Sequence, residues 1–173
     1  MKIRLDRVVD EPFEWQETLE FARGELDRPE IVDLGKVECR GRISSLAEGY
    51  LFEASLSHRA TFRCMRCLDE LERPVSSEMS LLIEIRGQEE QTAEEIELEE
   101  QDLGVLVLDK PELETRPILT EQLHLDIPMK PLCREDCAGL CPGCGTNLNI
   151  ASCSCKAETD PRWKALEELK LQH

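Results

Sequence analysis

Eight of the nine cysteines in this chain of 173 residues fall into close pairs or short runs, and no other feature constrains the fold so strongly. They are Cys64 and Cys67, then Cys133, Cys137, Cys141, Cys144, Cys153 and Cys155, with Cys39 standing apart. A Cys-x-x-Cys turn brings two thiolates to one ion, and a second turn elsewhere completes a tetrahedral shell. Eight ligands suffice for two ions, so the spacing predicts a chain whose distant segments meet at metal. Only 4% of residues are aromatic, which leaves aliphatic side chains to fill a modest core that structural metal would reinforce.

The strongest local signal is Cys141-Pro-Gly-Cys144-Gly, a zinc-knuckle turn whose glycines let backbone amides approach the thiolates. Cys153-Ser-Cys155 is near enough in sequence to close a four-cysteine site with it. Cys133-x3-Cys137 then lacks a partner, as does Cys64-Met-Arg-Cys67, and joining these two pairs uses every clustered cysteine. That second site would tie the middle of the chain to its C-terminal segment. The expected cofactor is zinc, as one or two structural ions.

The formal charge of −16 argues against nonspecific attraction to nucleic acid, where Lys and Arg contacts to phosphate dominate. By segment it is −5 over residues 1–35, +1 over 36–75, −12 over 76–126 and 0 over 127–173. Both cysteine-bearing regions are therefore near neutral, and the acid lies before and between them. The opening Met1-Lys2-Ile3-Arg4 lacks the apolar run of an export signal, and nowhere do eighteen apolar residues run together. These features predict a soluble, cytoplasmic protein, where thiols serve as metal ligands or redox groups rather than as a disulfide framework.

Ile3 and Leu5 alternate with charged neighbours, and Phe13, Trp15, Leu19 and Phe21 keep a period of two broken at Glu17, so both stretches read as half-buried strands. Residues 24 to 35 read as a connecting loop. Val37 to Ile43, Tyr50 to Ser57, Ala60 to Cys64 and Leu71 to Ile85 read as a meander, the last pairing regularly only after Pro74. Residues 87 to 102 are dense in like charge and read as a solvated, mobile insert. Gly104 to Asp109 looks like a short buried strand, and Ile118 to Leu125 a helix that Pro128 ends. A last amphipathic helix starts at Pro161, with Asp160 as N-cap and Trp163, Leu166 and Leu169 as its apolar stripe. The fold class is thus α+β: an antiparallel β-meander or small open barrel, one or two helices and a cysteine-rich, zinc-knuckle-like C-terminal segment. Residues 1–127 form the mainly β domain, and 128–173 the metal-binding segment with the last helix packed on it.

Catalysis has little to draw on. Only His58, His124 and His173 offer imidazoles, and no Ser, His and Asp arrangement, phosphate loop or paired-carboxylate signature is present. A redox role for Cys64-Met-Arg-Cys67 would need a strand-to-helix setting, whereas strands flank it. Cys39 alternates with Val37 and reads as a small buried hydrophobe. Arg59, Arg63, Arg66 and Arg73 surround the first cysteine pair, and Lys130 and Arg134 flank the second group. A shared metal would gather Arg59, Arg63, Arg66, Lys130 and Arg134 into a basic patch for RNA or a partner. The competing reading has the arginines paired with Asp69, Glu70 and Glu72.

The order Phe62-Arg-Cys64-Met-Arg-Cys67-Leu, then Pro131-Leu-Cys133-Arg-Glu-Asp-Cys137-Ala-Gly-Leu-Cys141-Pro-Gly-Cys144-Gly-Thr-Asn-Leu-Asn149 and Cys153-Ser-Cys155, resembles the bacterial YceD family. The closing Asp160-Pro-Arg-Trp163-Lys-Ala-Leu is similar to that family's tail. Its members are called large ribosomal RNA subunit accumulation proteins. The resemblance implies a noncatalytic role in accumulation of 23S ribosomal RNA and assembly of the large ribosomal subunit. Some members lack the later cysteines, which places the metal on the side of stability. The expected partner is a ribosomal protein or assembly factor of the large subunit, with ribosomal RNA itself second, and neither a membrane nor a small-molecule substrate. The readings to separate are an assembly adaptor, a direct RNA-binding zinc protein and a thiol redox sensor.

Overall fold

A computed structural model describes residues 1–22, 24–86, 104–155 and 162. The acidic insert expected at 87–102 and the helix expected from Pro161 lie outside the described residues, apart from Arg162. In chain order the elements are β1 (Lys2–Arg4), a single 3-10 turn (Leu5–Arg7), β2 (Phe13–Leu19), β3 (Ile31–Leu34), β4 (Val37–Ser45), β5 (Tyr50–Arg63), β6 (Glu70–Ile85), β7 (Val105–Leu108), β8 (Glu112–Glu114) and α1 (Thr115–Asp126).

The organising element is β5. Its inward positions recur at every second residue, Phe52, Ala54, Leu56, His58, Ala60 and Phe62, and the next position in the series, just past the strand, is Cys64, all of them buried. Period-two alternation puts one face of a strand against the core, and this one runs for 14 residues, about 45 Å at 3.2 to 3.4 Å each. The core side of the sheet thereby leads without interruption from the main hydrophobic cluster to the first metal-ligand candidate.

Around this spine the strand order is β2-β4-β5-β6-β7, with β3 pairing the distal part of β5. β4 pairs with Tyr50 to Ser57 and β3 with Ala60 to Phe62, so the two share one edge of β5 in tandem. On the inner face, β1, β8, the 3-10 turn and α1 bury Ile3, Leu5, Leu113, Ile118, Leu119 and Leu123 against Phe52, Leu56 and Ile83. Trp15 stacks on Phe52 at 5.5 Å between ring centroids. A second cluster of Leu26, Ala60, Phe62 and Ile127 continues along β5, and a third forms around Cys64, Cys67 and Cys137.

The sheet is open, as the meander reading has it, and several local expectations change. β5 is unbroken where two strands were expected, because the polar run Ser57-His58-Arg59 keeps the alternation by turning His58 inward. Residues 24 to 35 contain β3, which Pro29 and Gly35 conceal in sequence. β6 pairs from Glu70 onward, with Pro74 opposite Arg59. β7 covers only Leu82 to Ile85 of the other edge, which leaves β6 an edge strand near Pro74, and an edge tolerates a missing N–H. β7 itself runs parallel to β6 and is half-buried. Leu5 is buried from the 3-10 turn rather than from a strand.

Candidate metal centre

The tight turn between β5 and β6 carries Cys64 and Cys67, and the segment after α1 carries Cys133 and Cys137. The four Sγ atoms lie within 4.8 Å of one another. Cys64 and Cys137 are 3.8 Å apart and Cys67 and Cys133 3.6 Å. A tetrahedron with metal–sulfur bonds of about 2.3 Å has edges of about 3.8 Å, so the sulfurs sit where such an ion needs them. Cys64, Cys67 and Cys137 are buried among Leu71, Leu132 and Leu140, and Cys133 faces solvent.

Backbone and arginine contacts lock this arrangement. The Met65 amide donates to the Pro131 carbonyl at 2.9 Å, and the Leu140 amide to the Arg66 carbonyl at 3.0 Å. Arg66 donates Nη1 to the carbonyls of Glu135 and Cys137, and Arg73 donates Nη2 to that of Leu132. Gly139 has φ +75°, and a Cβ there would stand 3.0 Å from the Arg66 carbonyl oxygen. Asn149 completes the lock: its Nδ2 donates to Cys137 Sγ at 3.3 Å, while its Oδ1 accepts from the Ala138 amide and from Arg134.

Cys141, Cys144, Cys153 and Cys155 form a second group whose sulfurs also lie within 4.8 Å of one another. Here Cys144 and Cys155 are exposed, Cys153 is half-buried and Cys141 buried. All four ligands come from one short segment. Cys144 Sγ lies 3.2 Å from Thr146 Oγ1.

The electrostatics divides each group in two. Burial pushes the Cys64 thiol up, but the amides of Cys67, Arg66 and Cys133 outweigh it and bring it down to about 6. Burial likewise opposes ionisation of Cys137, and the Asn149 amide and Gly139 N–H overcome it. Cys67 and Cys133 are raised, in both cases chiefly by burial. In the second group Thr146 lowers Cys144 to about 6 and Cys153 lowers Cys141, while Cys144 and Cys141 push Cys155 up to about 12. Cys141 also raises Cys153. A bound cation would deprotonate all four thiols of a group, and an all-sulfur tetrahedral donor set suits zinc or an iron centre of the same geometry.

Of the expected basic residues, Arg59 bonds Glu72 at 3.0 Å, Arg66 holds the two carbonyls above, and Arg134 reaches Asn149 at 2.7 Å and Asp136 at 3.5 Å. Arg63 and Lys130 are exposed and make no ion pair among the described residues. Cys39 is buried in the main core, and burial raises its thiol to about 11. Sequence reasoning passed over Asn149 as a site residue, and its signal was the Asn-Leu-Asn stretch between cysteine pairs, where short amides bond local backbone.

The pattern that builds both groups, from Phe52 on β5 through the cysteine segments, falls within the stretch that a known family matches. A family described as large ribosomal RNA subunit accumulation protein YceD matches residues 52–170. The chain belongs to the YceD family. An uncharacterized protein of Mycobacterium tuberculosis is 33% identical over 129 residues, 74% of this chain and 59% of the relative. The chain thus spans about three fifths of that relative's length. The protein YlbN of Bacillus subtilis is 24% identical over 171 residues, 98% of this chain and 94% of the relative. The chloroplastic large ribosomal RNA subunit accumulation protein YCED homolog 1 of Zea mays is 39% identical over 46 residues, 26% of this chain and 16% of the relative. No solved structure matches. Among the described residues of this YceD chain, no helix is long and apolar enough to cross a membrane.

Proposed function

We propose that this YceD chain is a noncatalytic cytoplasmic factor that supports 23S ribosomal RNA accumulation and large-subunit assembly by docking a basic ribosomal protein or assembly partner. Two structural zinc ions hold the docking face. The observation that carries this reading is the convergence of Cys64 and Cys67 with Cys133 and Cys137, whose sulfurs lie within 4.8 Å although the two pairs stand far apart in sequence. In a family whose name concerns ribosomal RNA accumulation, such a cross-link supports a scaffold rather than a reaction centre. When bound, zinc would supply a rigid tetrahedral node that fixes the four thiolates. The chain's own residues do the rest: Arg66 and Arg73 hold the segment after α1 against the β5–β6 turn, and Met65 and Leu68 stand 56% and 55% exposed beside the node.

The partner's charge follows from the sequence. Glu89, Glu90, Glu94, Glu95, Glu97, Glu99 and Glu100 concentrate acid between two near-neutral cysteine regions. That acid speeds encounter with a basic surface, and the effect weakens with salt. The test has two parts. Freshly purified protein should contain two zinc ions and one free thiol, Cys39; no metal with nine reactive thiols would refute the clamp. Tagged protein should then recover large-subunit proteins or precursors from ribosome-containing lysate at low salt, and recovery of neither would sink the docking role.

A further inference from the structure

We infer that the second cysteine group is a peroxide-sensitive dithiol site, in which Cys144 and Cys155 are oxidised to a disulfide that expels the metal while the first group stays closed. The inference rests on the metal-bearing reading of both groups and adds a modification site to it. Its ground is a contrast in access. Cys144 and Cys155 are exposed, whereas in the first group only Cys133 is. Sγ of Cys144 and Cys155 lie within 4.8 Å of each other. Cys155 also leans on the knuckle itself, its Sγ 3.5 Å from where a Cβ on Gly143 would stand.

The two arms of the second group differ in backbone bonding. The knuckle is closed by Gly145 N–H to the Cys141 carbonyl and Cys141 N–H to the Thr146 carbonyl, both at 2.8 Å. Ala151 to Cys155 belong to no helix, strand or turn. A disulfide requires only that the Cys155 side chain or its irregular backbone shift toward Cys144 from within 4.8 Å, with no paired strand to break. In the first group, by contrast, the Cys64 and Cys67 turn is fixed between two paired strands, and Cys133 and Cys137 are held by Arg66, Arg73 and Asn149.

The chemistry balances with hydrogen peroxide as the oxidant. The exposed Cys144 thiolate attacks one peroxide oxygen, the O–O bond breaks, and hydroxide leaves and takes a proton to become water. The resulting sulfenic acid is attacked by the Cys155 thiolate: an S–S bond forms, the S–O bond breaks, and a second hydroxide is protonated. Two thiolates lose two electrons in all, peroxide gains them, and the metal keeps its oxidation state. With two of its four ligands gone, the ion leaves to solvent.

The experiment uses the full reduced chain loaded with zinc, with metal content measured before any oxidant is added. Hydrogen peroxide is then titrated in while a chromogenic chelator reports free zinc and mass spectrometry maps the oxidised cysteines. The expected result is loss of one of two zinc equivalents together with a Cys144–Cys155 disulfide, an unchanged far-ultraviolet dichroism spectrum, and restoration by reductant plus zinc. Release of both equivalents together, a first disulfide among Cys64, Cys67, Cys133 and Cys137, or retention of both ions would overturn the inference. Cys144→Ser removes a ligand as well as a thiol, so maleimide footprinting of the wild-type zinc-loaded protein serves as a second readout. Cys144 and Cys155 should label before every other clustered cysteine, and prior labelling of the first group would contradict the site. If no zinc is present at the start, the clamp reading fails by itself, while the identity of the first disulfide still decides the dithiol.

Discussion

The two Cys-x-x-Cys turns share a backbone. In each, the amide four residues beyond the first cysteine donates to that cysteine's carbonyl, Leu68 to Cys64 at 3.0 Å and Gly145 to Cys141 at 2.8 Å. In each, the first cysteine's own amide donates five residues on, to Asp69 at 2.9 Å and to Thr146 at 2.8 Å. Even the ionisation pattern repeats, with the amides of Arg66 and Cys67 facing Cys64 and those of Gly143 and Cys144 facing Cys141. What differs is where the other two ligands come from. The first turn takes them from a segment far along the chain, and three of its four ligands are sealed in an apolar cluster, so its metal closes a long loop. The second takes them from its own neighbourhood and leaves two exposed. One local motif thus yields a fold-wide cross-link or a surface node, and tertiary placement alone makes the difference.

The largest test of that contrast is ligand removal. Cys64→Ser should cost much of the roughly 10 to 16 kcal/mol that a structural zinc supplies, seen as loss of one zinc equivalent and of cooperative urea unfolding, with new protease cleavage after α1. Cys153→Ser should also lose one zinc yet leave the unfolding transition of the sheet in place. Equal damage from both would erase the distinction. Next in size is Asn149→Ala, which strips contacts from Cys137, Ala138 and Arg134 and should destabilise the first group by about 2 kcal/mol. Its signature is faster chelator-driven release of the first group's zinc with the other unaffected.

A smaller effect separates the two turns at their left-handed residue, Leu68 with φ 63° in one and Gly145 with φ 74° in the other. A left-handed conformation costs a side-chain-bearing residue about 1 to 2 kcal/mol. Leu68→Gly should therefore raise the urea midpoint and Gly145→Leu lower metal retention, and the same sign for both would show that the turns are not equivalent.

The smallest effect concerns the strand that joins core to cluster. His58 is buried without a well-formed hydrogen bond among the described residues, and burial lowers its pKa below the ordinary 6.5 against the opposing pull of Asp126. A neutral imidazole is therefore favoured in the folded state. Its contribution is present above the unfolded pKa and is lost as pH falls through 6.5 and below. His58→Leu should flatten this part of the pH dependence of the urea midpoint, and an unchanged slope would remove His58 from the explanation.

Much of the candidate site was legible because thiol pairs carry their geometry in their spacing: the four pairs fall into the two groups that the sequence suggests. The helix ending before Pro128 and the strands β4 and β6 were legible for similar local reasons. What hid from sequence depends on distant partners. β5 looked like two strands because Ser57, His58 and Arg59 are polar, and only the surrounding packing makes His58 an inward residue. β3 is four residues long and exists by pairing with Ala60 to Phe62. β8 likewise forms against β1 from more than a hundred residues away. Arg66 and Arg73 read as basic residues around the first cysteine pair, Arg66 as part of a patch for RNA or a partner, and Asn149 has no role until their carbonyl and thiolate acceptors are brought to them.

The claim that the first group clamps the sheet is tested most directly by stepwise chelation of the zinc-loaded protein with amide hydrogen exchange read at each step. Removal of the first zinc equivalent should expose amides around Cys141 to Cys155 and leave the distal ends of β5 and β6 protected. Removal of the second should abolish protection from Ala60 to Leu71 and in the segment carrying Cys133 and Cys137. Full protection of those strand ends after both ions are gone would contradict the clamp.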